Sequence, residues 1–114
     1  MKVGLRLPQT EEHRVTKENI IDLAKETENA GFESVSLERL IWSMEPLNPY
    51  PGTSDGKFPS DWQYIFEPIE TPTYVAANTN KIALGTSVID MLFHNPVILA
   101  RRFATLDVLQ KEEL

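Results

Sequence analysis

The feature that most constrains this chain is the order of its first 37 residues, which read strand, helix, strand. Val3, Leu5 and Leu7 alternate with Gly4 and Arg6, and Pro8 closes the run. That is a period of two, and proline cannot donate to a further ladder. Gln9 to Val15 is polar and reads as a loop. From Thr16, a plausible N-cap, Ile20, Leu23, Ala24 and Thr27 recur at helical spacing, and Ile21 and Ala30 widen the stripe. Gly31 stands where a helix C′ residue belongs. Phe32 to Leu37 alternates again. A strand, a helix of this length and a second strand form a parallel crossover unit.

The pattern then breaks and resumes. Ile41 to Phe66 has no clear period and contains Pro46, Pro49, Pro51 and Pro59 with Gly52 and Gly56. Its aromatic residues (Trp42, Tyr50, Phe58, Trp62, Tyr64 and Phe66) argue against plain disorder. Two readings stand: a loop covering a site, or an irregular excursion packed on the domain edge. Glu67 to Asn78 is helical in its second half, with Thr71-Pro72 as cap and first helical residue. Lys81 to Asp90 is a third strand, and Gly85 within it suggests a bulge or a close approach to the backbone. Asn95-Pro96 repeats the cap-plus-proline signal. Val97 to Leu109 then presents Val97, Ala100, Phe103, Ala104, Leu106 and Val108 as a wide apolar face. The resulting order is β-α-β-loop-α-β-α, an α/β chain with parallel strands and right-handed crossovers.

Composition narrows the function classes. The chain has 114 residues and a formal net charge of −6. Phosphate binding needs clustered Lys and Arg, so nucleic acid is an unfavoured partner; Arg101-Arg102 is a single pair and reads as a solvated helix face. There is no cysteine, which removes disulfides, thiolate nucleophiles and cysteine-rich zinc sites. No apolar run reaches about 18 residues, so no membrane span is expected. The N-terminus lacks the apolar core of a signal peptide, and a cytoplasmic location is expected. No division into two domains is visible, and residues 1–114 are read as one.

The third strand and its exit are the most specific part. LGTSV (Leu84 to Val88), HNPV (His94 to Val97), LARR (Leu99 to Arg102) and ATLDVL (Ala104 to Leu109) resemble the bacterial-luciferase-like monooxygenase family. VGLRLPQ near the N-terminus and LAKETENAGFESV at the helix-to-strand passage fit the same family. ERLIW followed by PYPGTSDGKFP resembles its F420-dependent oxidoreductase branch. Each piece is weak alone; their order and spacing are specific. The resemblance implies a (β/α)8 barrel, whose chemistry sits at the C-terminal ends of the strands. It implies coenzyme F420, or alternatively FMN, lying across that face. It also implies hydride transfer between the reduced ring and an organic small-molecule substrate.

Five residues become candidates on that resemblance. Thr86, Ser87 and Val88 match the cofactor-binding strand end, where relatives often place a non-proline cis peptide and a bulge beneath the ring. Without the resemblance they read as an ordinary strand end with two hydroxyls. Glu38 and Arg39 follow the second strand and are the candidate catalytic pair. Many relatives carry an acidic residue and a histidine there, suited to proton transfer. This sequence has no histidine at Arg39 or Leu40. Arg39 either pairs with an anionic group of cofactor or substrate, or forms a surface pair with Glu38 of little energetic worth. His94 reads as a solvated loop side chain, His13 likewise. Neither has an acidic ligand pattern around it, and no metal site is expected.

Two absences complete the reading. Neither GxGxxG nor GxxxxGK[ST] occurs. A full barrel takes about 250 residues and eight strands, whereas three strands are expected here. A truncated chain, a fragment or a mini-protein are the corresponding expectations. An open three-stranded sheet exposes its edges and an apolar inner face, which predicts a homo-oligomer. The alternative to the enzyme is therefore a non-catalytic, self-associating module.

Overall fold

The computed structural model describes residues 1–9, 15–38, 49–58 and 65–110. Three parallel strands form one sheet in the order β1-β2-β3: Gly4–Arg6, Ser34–Glu38 and Ala83–Val88. Helices α1 (Lys17–Asn29), α2 (Glu70–Ala76) and α3 (Pro96–Gln110) alternate with them, and a 3-10 turn, Met91–Phe93, precedes α3. The fold is the expected α/β arrangement of successive parallel βα units.

The first helix is set by its ends as much as by its stripe. Thr16 Oγ1 accepts from the Asn19 N–H (3.2 Å) and Asn19 Oδ1 accepts from the Thr16 N–H (2.7 Å), a reciprocal capping box. At the other end Gly31 adopts φ +87°. Its N–H donates to the Glu28 carbonyl and that of Phe32 to the Thr27 carbonyl, a Schellman stop. Between the caps Ile20, Ile21 and Ala24 are buried against Leu7, Val35, Leu37, Val75 and Ile82. Val35 and Leu37 are 0% exposed.

α2 starts differently from expectation. It begins at Glu70 with Ile69 in the cap position and no side-chain cap. Thr71 and Pro72 are the second and third helical residues, within the first turn, and both are buried. Proline is tolerated there because the first N–H groups of a helix have no intrahelical acceptor. The turn before the helix substitutes for the cap: Thr71 and Thr73 N–H donate to the Glu67 and Ile69 carbonyls. α3 begins as expected. Asn95 Oδ1 accepts from the N–H of Val97 (3.0 Å) and Ile98 (3.2 Å). Its buried face is Leu99 and Leu106 with half-buried Phe103, while Val97, Ile98, Ala100, Ala104 and Val108 are exposed.

The face of the sheet opposite the helices corrects the expectation of an apolar inner surface. Pairing places Gly4, Ser34 and Ala83 in one row and Arg6, Ser36 and Gly85 in the next. Rows of opposite parity carry Leu5, Val35 and Leu84 toward the helices. The open face is therefore small and polar, and it gives no hydrophobic drive to self-association.

The N-terminal edge of the sheet carries a carboxylate clamp. Glu28, near the end of α1, accepts from the backbone N–H groups of Asn80, Lys81 (2.7 Å) and Ile82 (2.9 Å) as the chain enters β3. Desolvation raises the pKa of this carboxyl. The N–H donors of Lys81, Ile82 and Asn80, with the Lys81 ammonium, outweigh it and hold the pKa below the ordinary glutamate range.

Candidate functional site

Because the strands are parallel, their C-terminal ends share one edge of the sheet, reached by Leu7 to Gln9, by Glu38 and by Thr86 to Val88. β1 is tied there by Gln9, whose polar surroundings in sequence predict a loop. Gln9 is buried, its Nε2 donates to the Phe66 carbonyl (2.8 Å), and the Phe66 N–H donates back to the Gln9 carbonyl (3.3 Å). The pair joins the end of β1 to the chain returning toward α2. Gln9 shares the parity of Leu5 and Leu7, and that alternation was the available signal.

β2 and β3 are in register from Ser34 with Ala83 up to Leu37 with Thr86, and the register then slips, so that Glu38 pairs with Val88. Ser87 is the extra residue. An inserted residue bends its strand and re-aims the neighbouring groups, and such bulges gather beside active sites. The bulge thus falls at the predicted strand end, two residues beyond Gly85. No cis peptide occurs among the described residues, so the Ser87–Val88 bond is trans, contrary to the expectation drawn from relatives. The insertion itself bends the strand, without an isomerised bond. Ser87 and Val88 are exposed and Thr86 is half-buried. One row below, a Cβ added to Gly85 would meet no atom within 4 Å. The backbone there is open to approach from the small, polar face.

Glu38 ends β2 opposite Val88, so the strand pairing brings it beside the Ser87 bulge. Arg39 and His13 lie outside the described residues. The part of the long second connection that is described closes on itself. The Tyr50 N–H donates to the Gly56 carbonyl (2.7 Å), and the Tyr50 and Phe58 rings meet edge to face at 5.1 Å. Gly52 and Gly56 supply the positive φ this tight path requires.

His94 also differs from expectation. Its side chain is half-buried rather than solvated, and Nε2 is buried with no hydrogen-bond partner. Arg102, expected on a solvated face, bonds to Glu70 and so bridges α3 to α2. A cavity of about 540 Å³ opens between these helices, lined among others by Ile69, Thr73, Ile98 and Leu106. It belongs to the helix layer, not to the strand ends.

A sequence profile of luciferase-like monooxygenases matches residues 1–111. The chain belongs to the luciferase-like monooxygenase family. Within it, the chain is 33% identical over 91 residues to an F420-dependent glucose-6-phosphate dehydrogenase of Kineococcus radiotolerans. That match covers 79% of this chain and 23% of the relative. The fold overlays a solved monooxygenase, RslO1 from Streptomyces bottropensis, with a TM-score of 0.64 at 19% identity. The overlay covers 96% of this chain and 30% of that one. The chain thus spans less than a third of the length of each, and its sheet is a partial version of the family barrel. No helix among the described residues is long and apolar enough to cross a membrane.

Proposed function

We propose that this chain is the cofactor-facing portion of an F420-dependent oxidoreductase, with FMN as the alternative cofactor. The observation that carries the reading is the Ser87 bulge at the C-terminal edge, next to a Gly85 whose open side leaves room for a flat ring. Thr86, Ser87 and Val88 would hold the ring through backbone contact, and the exposed Val88 side chain would offer it an apolar surface. When bound, the cofactor supplies hydride chemistry with an organic small molecule. Glu38, at the same edge, is the group suited to hold or move a proton. Arg39 follows it in sequence and is suited to an anionic group of cofactor or substrate. Residues 1–114 act in this reading as one domain, the N-terminal part of a luciferase-like barrel, in the cytoplasm. The 33% identity to an F420-dependent relative favours F420 over FMN.

The test is a fluorescence titration of the 114-residue chain with F420 and with FMN, its fold checked by circular dichroism. Saturable binding of F420, weakened by a bulky Gly85→Val change, is expected. A folded chain that binds neither cofactor would overturn the reading.

A second reading, a non-catalytic self-associating module, is favoured by one observation. Exposed apolar residues concentrate after β3: Met91, Leu92 and Phe93 in the turn, then Val97, Ile98, Val108 and Leu109 on α3. β3 is also an edge strand. A homo-oligomer would form through this side, not through the small, polar sheet face.

A further inference from the structure

The open face of the sheet carries a long cationic side chain that neither the fold nor the cofactor reading uses. Arg6 is the last residue of β1. The next residue, Leu7, turns into the core and is buried, so strand alternation puts Arg6 on the opposite face, where it is exposed. Register sets its row: Arg6 pairs with Ser36, and Ser36 with Gly85. The row behind it holds Gly4, Ser34 and Ala83. Arg6 therefore stands over a floor of small residues, in the same row as the glycine whose open side was read as room for the ring.

In a (β/α)8 barrel the side of the sheet away from the helices is the interior, and bulky branched side chains usually fill it. These two rows carry glycine, alanine and serine instead, which leaves volume unfilled beside a guanidinium. A charge in the interior is costly unless a polar or charged group meets it. Arg6 already interacts within the chain, but five N–H donors let a guanidinium serve a ligand as well. Neighbouring strands lie about 4.8 Å apart, so Arg6 and Gly85 stand about 10 Å apart along the row, with only Ser36 between them. A flat three-ring system laid on the open side of Gly85 and running along the row ends over Arg6.

We propose that Arg6 is a cofactor-binding residue whose guanidinium donates hydrogen bonds to the carbonyl-bearing end of the bound ring. This deepens the F420 reading above and rests on it. Charge at that end of a flavin-type ring is one of the means by which a protein tunes such a cofactor. The guanidinium stays charged at every working pH, and its fork matches paired acceptors. The backbone beneath it is fixed before any ligand arrives, because the Leu7 N–H donates to the Ser36 carbonyl (3.0 Å) just beyond it.

The experiment is calorimetric titration of the 114-residue chain and its R6M and R6K variants with F420 and then FMN, with the absorbance spectrum of the bound ring recorded at saturation. Circular dichroism checks each fold. R6M should weaken F420 binding about tenfold or more, the loss of a charge-assisted hydrogen bond. It should also return the bound ring's spectrum toward that of free F420. R6K, which keeps the charge without the fork, should lose about threefold. A folded R6M that binds as tightly as wild type, or whose bound ring has the wild-type spectrum, overturns the Arg6 role alone. If R6M does not fold, R6K decides in its place, and unchanged affinity and spectrum overturn the role. Wild type that binds neither cofactor overturns the F420 reading and this proposal with it, so the two failures are distinguishable.

Discussion

The first crossover, β1-α1-β2, and the last unit, β3-α3, are made of the same element types but solve burial in opposite ways. In the first, pattern and packing agree. α1 is capped at both ends, turns Ile20, Ile21 and Ala24 onto Val35 and Leu37, and leaves its charged residues other than Glu28 to solvent. In the last, α3 is apolar on most of its circumference. It buries Leu99 and Leu106 and leaves Val97, Ile98, Val108 and Leu109 exposed. A helix with apolar residues spread so widely suits a setting with neighbours on more than one side. Among the described residues only β2 is paired on both edges, while β1 and β3 have one partner each. The first crossover therefore carries the core, and the last unit carries the exposed surface and the candidate site.

The sharpest way to break this contrast is a pair of truncations. Ile20→Ala removes a side chain that is 1% exposed and is expected to cost about 2–5 kcal/mol. Leu92→Ala is expected to change stability by about 0.5 kcal/mol or less. Urea denaturation checks both, and equal losses would show that the 3-10 turn belongs to the cooperative core.

A smaller effect separates two glycines on the open face. A Cβ at Gly4 would collide with Ser34 Oγ and lie 3.3 Å from the Ser34 carbonyl oxygen, whereas at Gly85 it would meet open space. Gly4→Ala is expected to cost about 1–3 kcal/mol, less to the extent that the Ser34 hydroxyl rotates away. Gly85→Ala should leave the melting curve nearly unchanged, and in the F420 reading it should lower cofactor affinity. A Gly85→Ala variant that destabilises as much as Gly4→Ala would contradict the open side of β3.

The smallest effect sharpens the contrast at the N-terminal edge. Glu28 joins the first crossover to the last unit through three backbone N–H groups. Glu28→Gln is expected to lower stability by about 1 kcal/mol at neutral pH. The folded-state pKa of Glu28 is lowered, so its contribution is fully present above the ordinary glutamate value. It is lost as pH falls through the lowered folded value. The gap between wild type and Glu28→Gln should close on acidification; a gap that persists at low pH would remove the carboxylate charge as its cause.

Legibility followed the same division. Thr16, Gly31 and Asn95 were readable as caps because capping is settled within a few residues of sequence. Thr71-Pro72 misled for a related reason: proline fits any of the first helical positions, so it marks a helix start only to within a turn. The face of α3 was readable only in part: Phe103 and Leu106 turn inward, but Val97, Ala100, Ala104 and Val108 are exposed, since apolar residues spread widely round the helix leave a weak period. The burial of Gln9 and His94, both of which read as loop residues, was not legible, because it depends on chain segments distant in sequence or on a turn with no periodic signal. Ser87 was reached through family resemblance, and the register slip that makes it a bulge exists only in the pairing of β2 with β3.

By itself the sequence determined the alternation of strand and helix, the caps of α1 and α3, and the family, because periodicity, cap chemistry and motif order are local properties of the chain. The tertiary structure alone decided three things: that the open face of the sheet is small and polar, that β3 bulges at Ser87 on a trans backbone, and that His94 holds an unbonded nitrogen. Each depends on which residues from separate strands and turns come to lie together, and no stretch of sequence contains that information.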